Sequence, residues 1–328
     1  PDDGQGGAYF GNSAALSGSA ALVGAYRDVD NGTASGSVYV FDAGSGEQIS
    51  KLTPEDGATV DRFGRSVALL GSTAVVGAPW DDDNGLSSGS VYLFDISTGE
   101  QTAKLVPADG ASGDNFGTTV AIGGDIVVVG ASGDDDHGLN SGSAYLFVAS
   151  TGEQITKFAP ADITSGSSFG SVMALSGNLA LFGVSSDDDN GPSSGSAYLF
   201  DATTGAQIVK VTPSDGMASE RFGTAVAVSG SSVIVGATGN TRSHATPGSA
   251  YIFDYLEPSS EQVIESKVTR AHLLDFHTTQ GNTYRLQCSD DLALWTNTAL
   301  SVSGTGSGQS FCVSAAQPEK FYRITTSP

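Results

Sequence analysis

The feature that most constrains this chain is a repeat. Phe-Gly pairs begin at Phe10, Phe63, Phe116, Phe169 and Phe222, each 53 residues after the one before. Tyr39, Tyr92, Tyr145, Tyr198 and Tyr251 keep the same interval inside Gly-Ser-x-Tyr-x-Phe segments, and Pro1, Pro54, Pro107, Pro160 and Pro213 keep it too. A unit written five times in register buries its faces against its own neighbours, so the fold is a repeat architecture. In the second copy SVALLG, TAVVGA, SGSVYLFD and EQTAKLV are β-rich runs, separated by Gly, Ser, Asp and Asn clusters that favour turns. No segment keeps a helical period over three turns. Four short strands in a unit of this length predict the blade of a β-propeller.

Strand order within the unit follows from side-chain size. The first run is poorest in bulk (NSAALSG, RSVALLG, TTVAIGG) and suits the crowded position nearest the axis. The fourth carries one lysine per copy, at Lys51, Lys104, Lys157 and Lys210, with Lys267 displaced by a loop four residues longer. A charge on the outermost strand blunts edge-to-edge pairing. The expectation is five complete blades that close into a disc.

At this point the units resemble FG-GAP repeats, the blades of integrin α-subunit heads and of many bacterial secreted proteins. FGRSVALLGSTAVVGAPWDDDNG carries both Phe63-Gly64 and a literal Gly77-Ala78-Pro79. The resemblance covers about residues 1–270, and it implies architecture more firmly than activity. Two departures stand out. Integrin heads have seven blades where five are written here, and Pro follows Gly-Ala only in the second copy.

Beyond Arg270 the phase is lost, which divides the chain into a propeller at 1–270 and a C-terminal module at 271–328. NTYRLQ, LWTN and FYRI read as strands of a small β-sandwich-like domain, similar to modules at the C-termini of secreted bacterial proteins. The expected fold class is therefore all-β, a five-bladed propeller of four-stranded blades plus this domain. A segment so short has a marginal core, so it is expected to dock on the propeller or to carry a disulfide. Cys288 and Cys312 are the chain's two cysteines. A bridge between them would close a loop of about 24 residues, and two buried thiols are the alternative.

Composition decides which functions survive. Asp and Glu number 36 against 14 Lys and Arg, a formal charge of −22. That excludes an electrostatic nucleic-acid binder, which needs basic residues to replace counterions. No run approaches the roughly 20 apolar residues of a membrane-spanning helix. The chain opens PDDGQGG rather than on a basic and apolar leader, so we expect an extracellular protein, secreted or at the cell surface, whose signal peptide has been removed.

The most informative residues lie between the second and third strands. The loops read Asp28-Val29-Asp30-Asn31-Gly32, Asp81-Asp82-Asp83-Asn84-Gly85, Asp134-Asp135-Asp136-His137-Gly138 and Asp187-Asp188-Asp189-Asn190-Gly191. Valine in the first copy marks the first and third aspartates as the repeated pair. Calcium takes six to eight oxygen ligands, several of which such a turn can supply. The candidate metal ligands are Asp28, Asp30, Asn31, Asp81, Asp83, Asn84, Asp134, Asp136, Asp187, Asp189 and Asn190, with Ca²⁺ as the expected cofactor. The resemblance lends partial support, because integrin blades bind calcium in Asp-x-Asp-x-Asp-Gly loops, although here glycine takes the third acidic position. The alternative is an Asx-turn, in which the aspartates cap backbone amides. The fifth copy, Thr238-Gly239-Asn240-Thr241-Arg242, has lost the aspartates and is expected not to bind.

The loops entering each unit are acidic as well, among them Asp3, Asp56, Asp61, Asp109, Asp114, Asp162 and Asp215. More than half of the acidic residues therefore share one face of the disc, a field that cations or a cationic partner would relieve. Catalytic signals are thin: His137, His244, His272 and His277 form no pattern, and no Gly-x-Ser-x-Gly elbow occurs. The reading is a non-enzymatic, calcium-binding structural or adhesive protein with no catalytic residues. Its expected partners are copies of itself, in filaments or tubes, or another extracellular protein or glycan. A polysaccharide or phosphate-ester hydrolase using the acidic face, or a lectin-like module, are the alternatives.

Overall fold

Short β-runs punctuated by two-residue turns fold into antiparallel sheets, and the turn residues decide where. Between the first two strands of every unit stands a turn that begins on glycine, at Gly18, Gly71, Gly124, Gly177 and Gly230, with φ between 54° and 60°. That left-handed entry suits the twist of a hairpin and is costly for any other residue. The computed structural model describes residues 1–328 except 2, 5, 159, 214, 240–247, 256–262, 267–272, 278–282, 290–295, 304–307, 313–320 and 328, and from residue 255 onward it describes strand backbones alone.

The first blade holds β1 (Ser13–Ser17), β2 (Ala20–Ala25), β3 (Ser37–Asp42) and β4 (Gln48–Leu52). The second holds β5 (Ser66–Leu70), β6 (Thr73–Ala78), β7 (Ser90–Asp95) and β8 (Glu100–Leu105), and the third β9 (Phe116–Gly123), β10 (Ile126–Ala131), β11 (Ser143–Val148) and β12 (Gln154–Phe158). The fourth holds β13 (Val172–Ser176), β14 (Leu179–Val184), β15 (Ser196–Asp201) and β16 (Gln207–Val211). The fifth contains β17 (Phe222–Ser229), β18 (Ser232–Ala237), β19 (Ser249–Tyr255) and β20 (Val263–Ser266). Within each blade the strands pair in sequence order, so the expected all-β architecture of five four-stranded blades is what forms.

Blades join through both faces of the third strand. Alternate residues of a strand point to opposite faces, and in β7 this sends Tyr92 and Phe94 toward the first blade and Val91 and Leu93 toward the third. From the second Phe-Gly pair onward the Phe enters the joint with the preceding blade: Phe63, Phe116, Phe169 and Phe222 are fully buried. Their amides donate to the carbonyls of Ser35, Ser88, Ser141 and Ser194 at 2.9 Å. Each also meets the repeat tyrosine edge-on, as Phe63 does Tyr92 with centroids 5.6 Å apart. Burying one such ring contributes about 2–3 kcal/mol.

Four joints of this kind link five blades, and the fifth joint is where expectation and structure part. The inner strands β1, β5, β9, β13 and β17 pack consecutively, with no comparable packing of β17 on β1. Phe10 is 43% exposed where its four equivalents are buried, and Leu16 is exposed too. On the fifth blade Ile234 and Ile252 are 39% and 51% exposed, whereas Leu181 and Leu199, one repeat earlier, are buried. The expected closure of the disc is therefore not seen among the described residues. A count of repeats does not set the angle at each joint: the five sheets match a five-bladed propeller, and among the described residues Phe10 on the first blade and Ile234 and Ile252 on the fifth stay exposed.

The remaining strands are β21 (Leu273–His277), β22 (Thr283–Ser289), β23 (Thr296–Ser303), β24 (Gly308–Cys312) and β25 (Phe321–Ser327). β20 pairs with β25, so the sheet of the fifth blade continues through β25, β22 and β23, while β21 and β24 form a separate pair. Cys288 stands on β22 and Cys312 on β24, in different sheets. Their proposed bridge, the boundary at 270, Lys267, His244 and His272 all fall outside the described residues or side chains.

Candidate functional site

The sequence places five chemically complementary residues at the repeat interval, and the blade brings them together. In the third blade Asp134 and Asp136 come from the loop after β10, Tyr145 from β11, Lys157 from β12, and Asp109 from the loop that enters the blade. The ammonium of Lys157 lies 2.9 Å from Asp109, 2.7 Å from Asp134 and 2.6 Å from Asp136. In the fourth blade Lys210 contacts Asp162, Asp187 and Asp189 at 2.7, 3.0 and 2.6 Å. Lys104 joins Asp56, Asp81 and Asp83 in the second blade, and Lys51 joins Asp3, Asp28 and Asp30 in the first.

The first aspartate of each loop is buried and fully engaged. Asp81 accepts the Tyr92 hydroxyl at 2.8 Å on one oxygen and the Asp83 amide at 3.1 Å on the other. Asp134 and Asp187 repeat the pattern with Tyr145 and Tyr198 at 3.0 Å. This is Asx-turn geometry, the alternative weighed for these loops. The asparagines turn elsewhere: the Asn31 and Asn190 side-chain amides donate to the carbonyls of Pro54 and Pro213. The Asn84 backbone amide donates to the Ser88 hydroxyl.

The electrostatics follow from this enclosure. Burial pushes the Asp134 carboxyl up, but hydrogen bonds from Lys157 and the Asp136 amide outweigh it and hold the group below its ordinary range. Asp28 is likewise held low, burial opposing and the Tyr39 and Lys51 contacts prevailing. Burial opposes the charge on Lys104 as well, and its carboxylates raise it above the ordinary lysine range. Burial, then the charge of Asp81, pushes Tyr92 far up, so the phenol stays a donor.

The lysines do stand on edge strands, as expected, yet they serve the blade inwardly. Each ammonium cancels part of a carboxylate field that was expected to call for cations from outside. The oxygens of Asp109, Asp134 and Asp136 gather within 4.8 Å, as ligands of a metal do. The point on which they converge is taken by Lys157, so a calcium ion fits this set only after that side chain has left. In the sequence Asp3, Asp56, Asp109 and Asp162 read as part of an acidic face and Tyr39, Tyr92, Tyr145 and Tyr198 as core; the fold joins both sets to the lysines. The signal was present: all share the 53-residue spacing. In the fifth blade the Tyr251 hydroxyl still reaches Asp215 at 3.1 Å, while Asn240 onward in the loop that lost its aspartates is not described.

Comparison with known proteins bears on the repeat. The family described as "FG-GAP repeat" matches residues 1–41, 47–94, 100–147, 153–200 and 206–253. No curated protein matches the chain. Among solved structures, one titled "Crystal structure of RRP9 WD40 repeats" aligns at 12% identity and a TM-score of 0.47, over 74% of this chain and 62% of that one. Among the described residues no helix is long and apolar enough to cross a membrane.

Proposed function

Because the chain belongs to the FG-GAP repeat family, we propose that it is a non-enzymatic structural or adhesive protein of the cell exterior that joins copies of itself end to end. The observation that carries this reading is the pair of open end faces. Phe10 on the first blade and Ile234 and Ile252 on the fifth are repeat equivalents of Phe222, Leu181 and Leu199, which pack together between the fourth and fifth blades. A second copy placing its first blade on the fifth blade of the first would rebuild a joint that the chain already makes four times. Such a contact is heterologous, and it yields a ring where the rotation closes and a filament or tube where it does not. The 271–328 segment, joined to the fifth blade through the pairing of β20 and β25, would travel with that blade as a module of its own. Capture of the loop carboxylates by lysine and tyrosine supports a role without acid–base chemistry.

Sedimentation velocity across a wide concentration range tests the assembly. Mass should rise with concentration in the native protein and stay at one chain in Ile252→Asp, whose substitution lies at an exposed position. A single-chain mass for the native protein throughout would refute the reading.

The gathering of Asp109, Asp134 and Asp136 favours a second reading for the loops, calcium binding. Under it, calcium raises the melting temperature and a chelator reverses the rise, because a ligand of the folded state stabilises it. If lysine is the resident cation, melting in calcium and in chelator coincides.

A further inference from the structure

Near-identical repeats make departures from the pattern informative, and the largest among the described residues falls at the junction of the first two blades. Where the other units carry glycine, serine, threonine, asparagine or proline, apart from Arg221 at the position of Arg62, these two carry Tyr9, Tyr26, Arg27, Arg62, Arg65 and Trp80. Tyr26 lies at the centre: the guanidinium carbons of Arg27, Arg62 and Arg65 stand 5.9, 5.8 and 5.8 Å from its ring. Arg27 also covers Tyr9 at 4.9 Å, and Arg62 covers Trp80 at 3.0 Å. Tyr9 and Arg62 occupy left-handed backbone, with φ of 56° and 60°. That conformation disfavours bulky side chains, so size at these positions answers to something other than the turn.

Charge is the second anomaly. In a chain of net charge −22, the ion pairs among the described residues are all made by lysine, and these three arginines make none. Burial first, then the like charges of Arg27 and Arg65, pull the Arg62 guanidinium below its ordinary value, and its Nε is buried without a hydrogen-bond partner. Arg27 and Arg62 face a cleft of about 420 Å³ whose walls include Gly6, Gly7, Thr33 and Val60. The carboxylate in its lining, Asp28, is already held by Lys51 and Tyr39.

We infer that this cleft binds an acidic saccharide, its carboxylate or sulfate taken by Arg27 and Arg62 and its ring seated among Gly6, Gly7, Thr33 and Val60. Guanidinium forks match oxyanions bidentately, and the cleft has room for a sugar residue at a place where the protein has left positive charge uncompensated. The assignment is independent of self-assembly.

Titration calorimetry at constant ionic strength, with trigalacturonate as the acidic probe, maltotriose as the neutral one and sodium sulfate as the free oxyanion, tests it. Trigalacturonate should bind saturably, with about tenfold weaker affinity in Arg27→Ala, the loss expected on removing one charged donor. Arg221→Ala, which removes an exposed arginine at the repeat position of Arg62, should bind as the native protein does. Maltotriose should give no heat, and sulfate should compete only weakly. Equal binding in native and Arg27→Ala protein would overturn the inference. So would sulfate matching trigalacturonate, which makes the cleft a site for free anions. Absent saccharide binding together with loss of self-association in Arg27→Ala would also overturn it, by assigning the arginines to the acidic loops of a second copy.

Discussion

Asp61 sits in the loop before β5, its carboxylate accepting the Ala58 amide at 2.6 Å. Burial, and then the charges of Asp81 and Asp82, push its carboxyl up from 3.8 to about 6. A raised carboxyl makes the folded state the tighter proton binder, so this residue's contribution to stability grows as pH falls from above about 6 toward about 4. Asp3, Asp28, Asp56 and Asp134 are held low, and their contribution is complete above 3.8 and lost as pH falls through their folded values. Stability should therefore peak in mildly acidic solution. Asp61→Asn should raise the melting temperature at neutral pH by the equivalent of about 1–3 kcal/mol and shrink its gain on acidification. Asp114, also raised by burial, keeps part of that gain. An unchanged pH profile in differential scanning calorimetry would contradict this. Lys157→Met makes the complementary case: it keeps the stem but leaves Asp109, Asp134 and Asp136 facing one another. Two of the carboxylates are half exposed, so we expect a loss of about 2–4 kcal/mol rather than the full cost of orphaning a buried charge. Calcium should restore part of that loss, by more than it changes the native protein. At this scale the sequence told which residues repeat, but not that Lys157 lies beside Asp109, 48 positions earlier. That neighbourhood exists only once four strands are laid side by side.

Strand by strand, the blade was legible, because short β-rich runs bounded by Gly, Ser, Asp and Asn turns, with no helical period, leave few alternatives. The joint between blades was less so. Gly77 shows why: a Cβ there would lie 2.1 Å from the Gly117 carbonyl oxygen of the next blade. Its equivalents Gly24, Gly130 and Gly183 meet Gly64, Gly170 and Gly223 the same way. In the sequence they stand in a Gly-Ala pair, or Gly-Val at Gly183, within a strand, with nothing to say that another backbone rests on them. Gly77→Ala should separate the second and third blades and cost about 1–3 kcal/mol, as overpacking does. The same change at Gly236, where the nearest atom is 3.6 Å away, should be nearly neutral. Chemical denaturation of both variants checks the contrast, and equal losses would refute the role of close approach.

Across the whole molecule, five phased units announce five blades, but whether they close depends on the angle that each joint adopts. The described residues leave Phe10 exposed on the first blade and Ile252 exposed on the fifth, at positions that the interior joints bury. Disulfide trapping in the double variant Phe10→Cys/Ile252→Cys, with each single variant as a control for the native cysteines, asks directly where those faces meet. The account predicts bonds between chains, seen as a ladder of multiples on non-reducing gels that reducing agent collapses and that neither single variant gives. A quantitative bond within one chain, running as a monomer, would show that the first and fifth blades meet each other and would contradict end-to-end assembly.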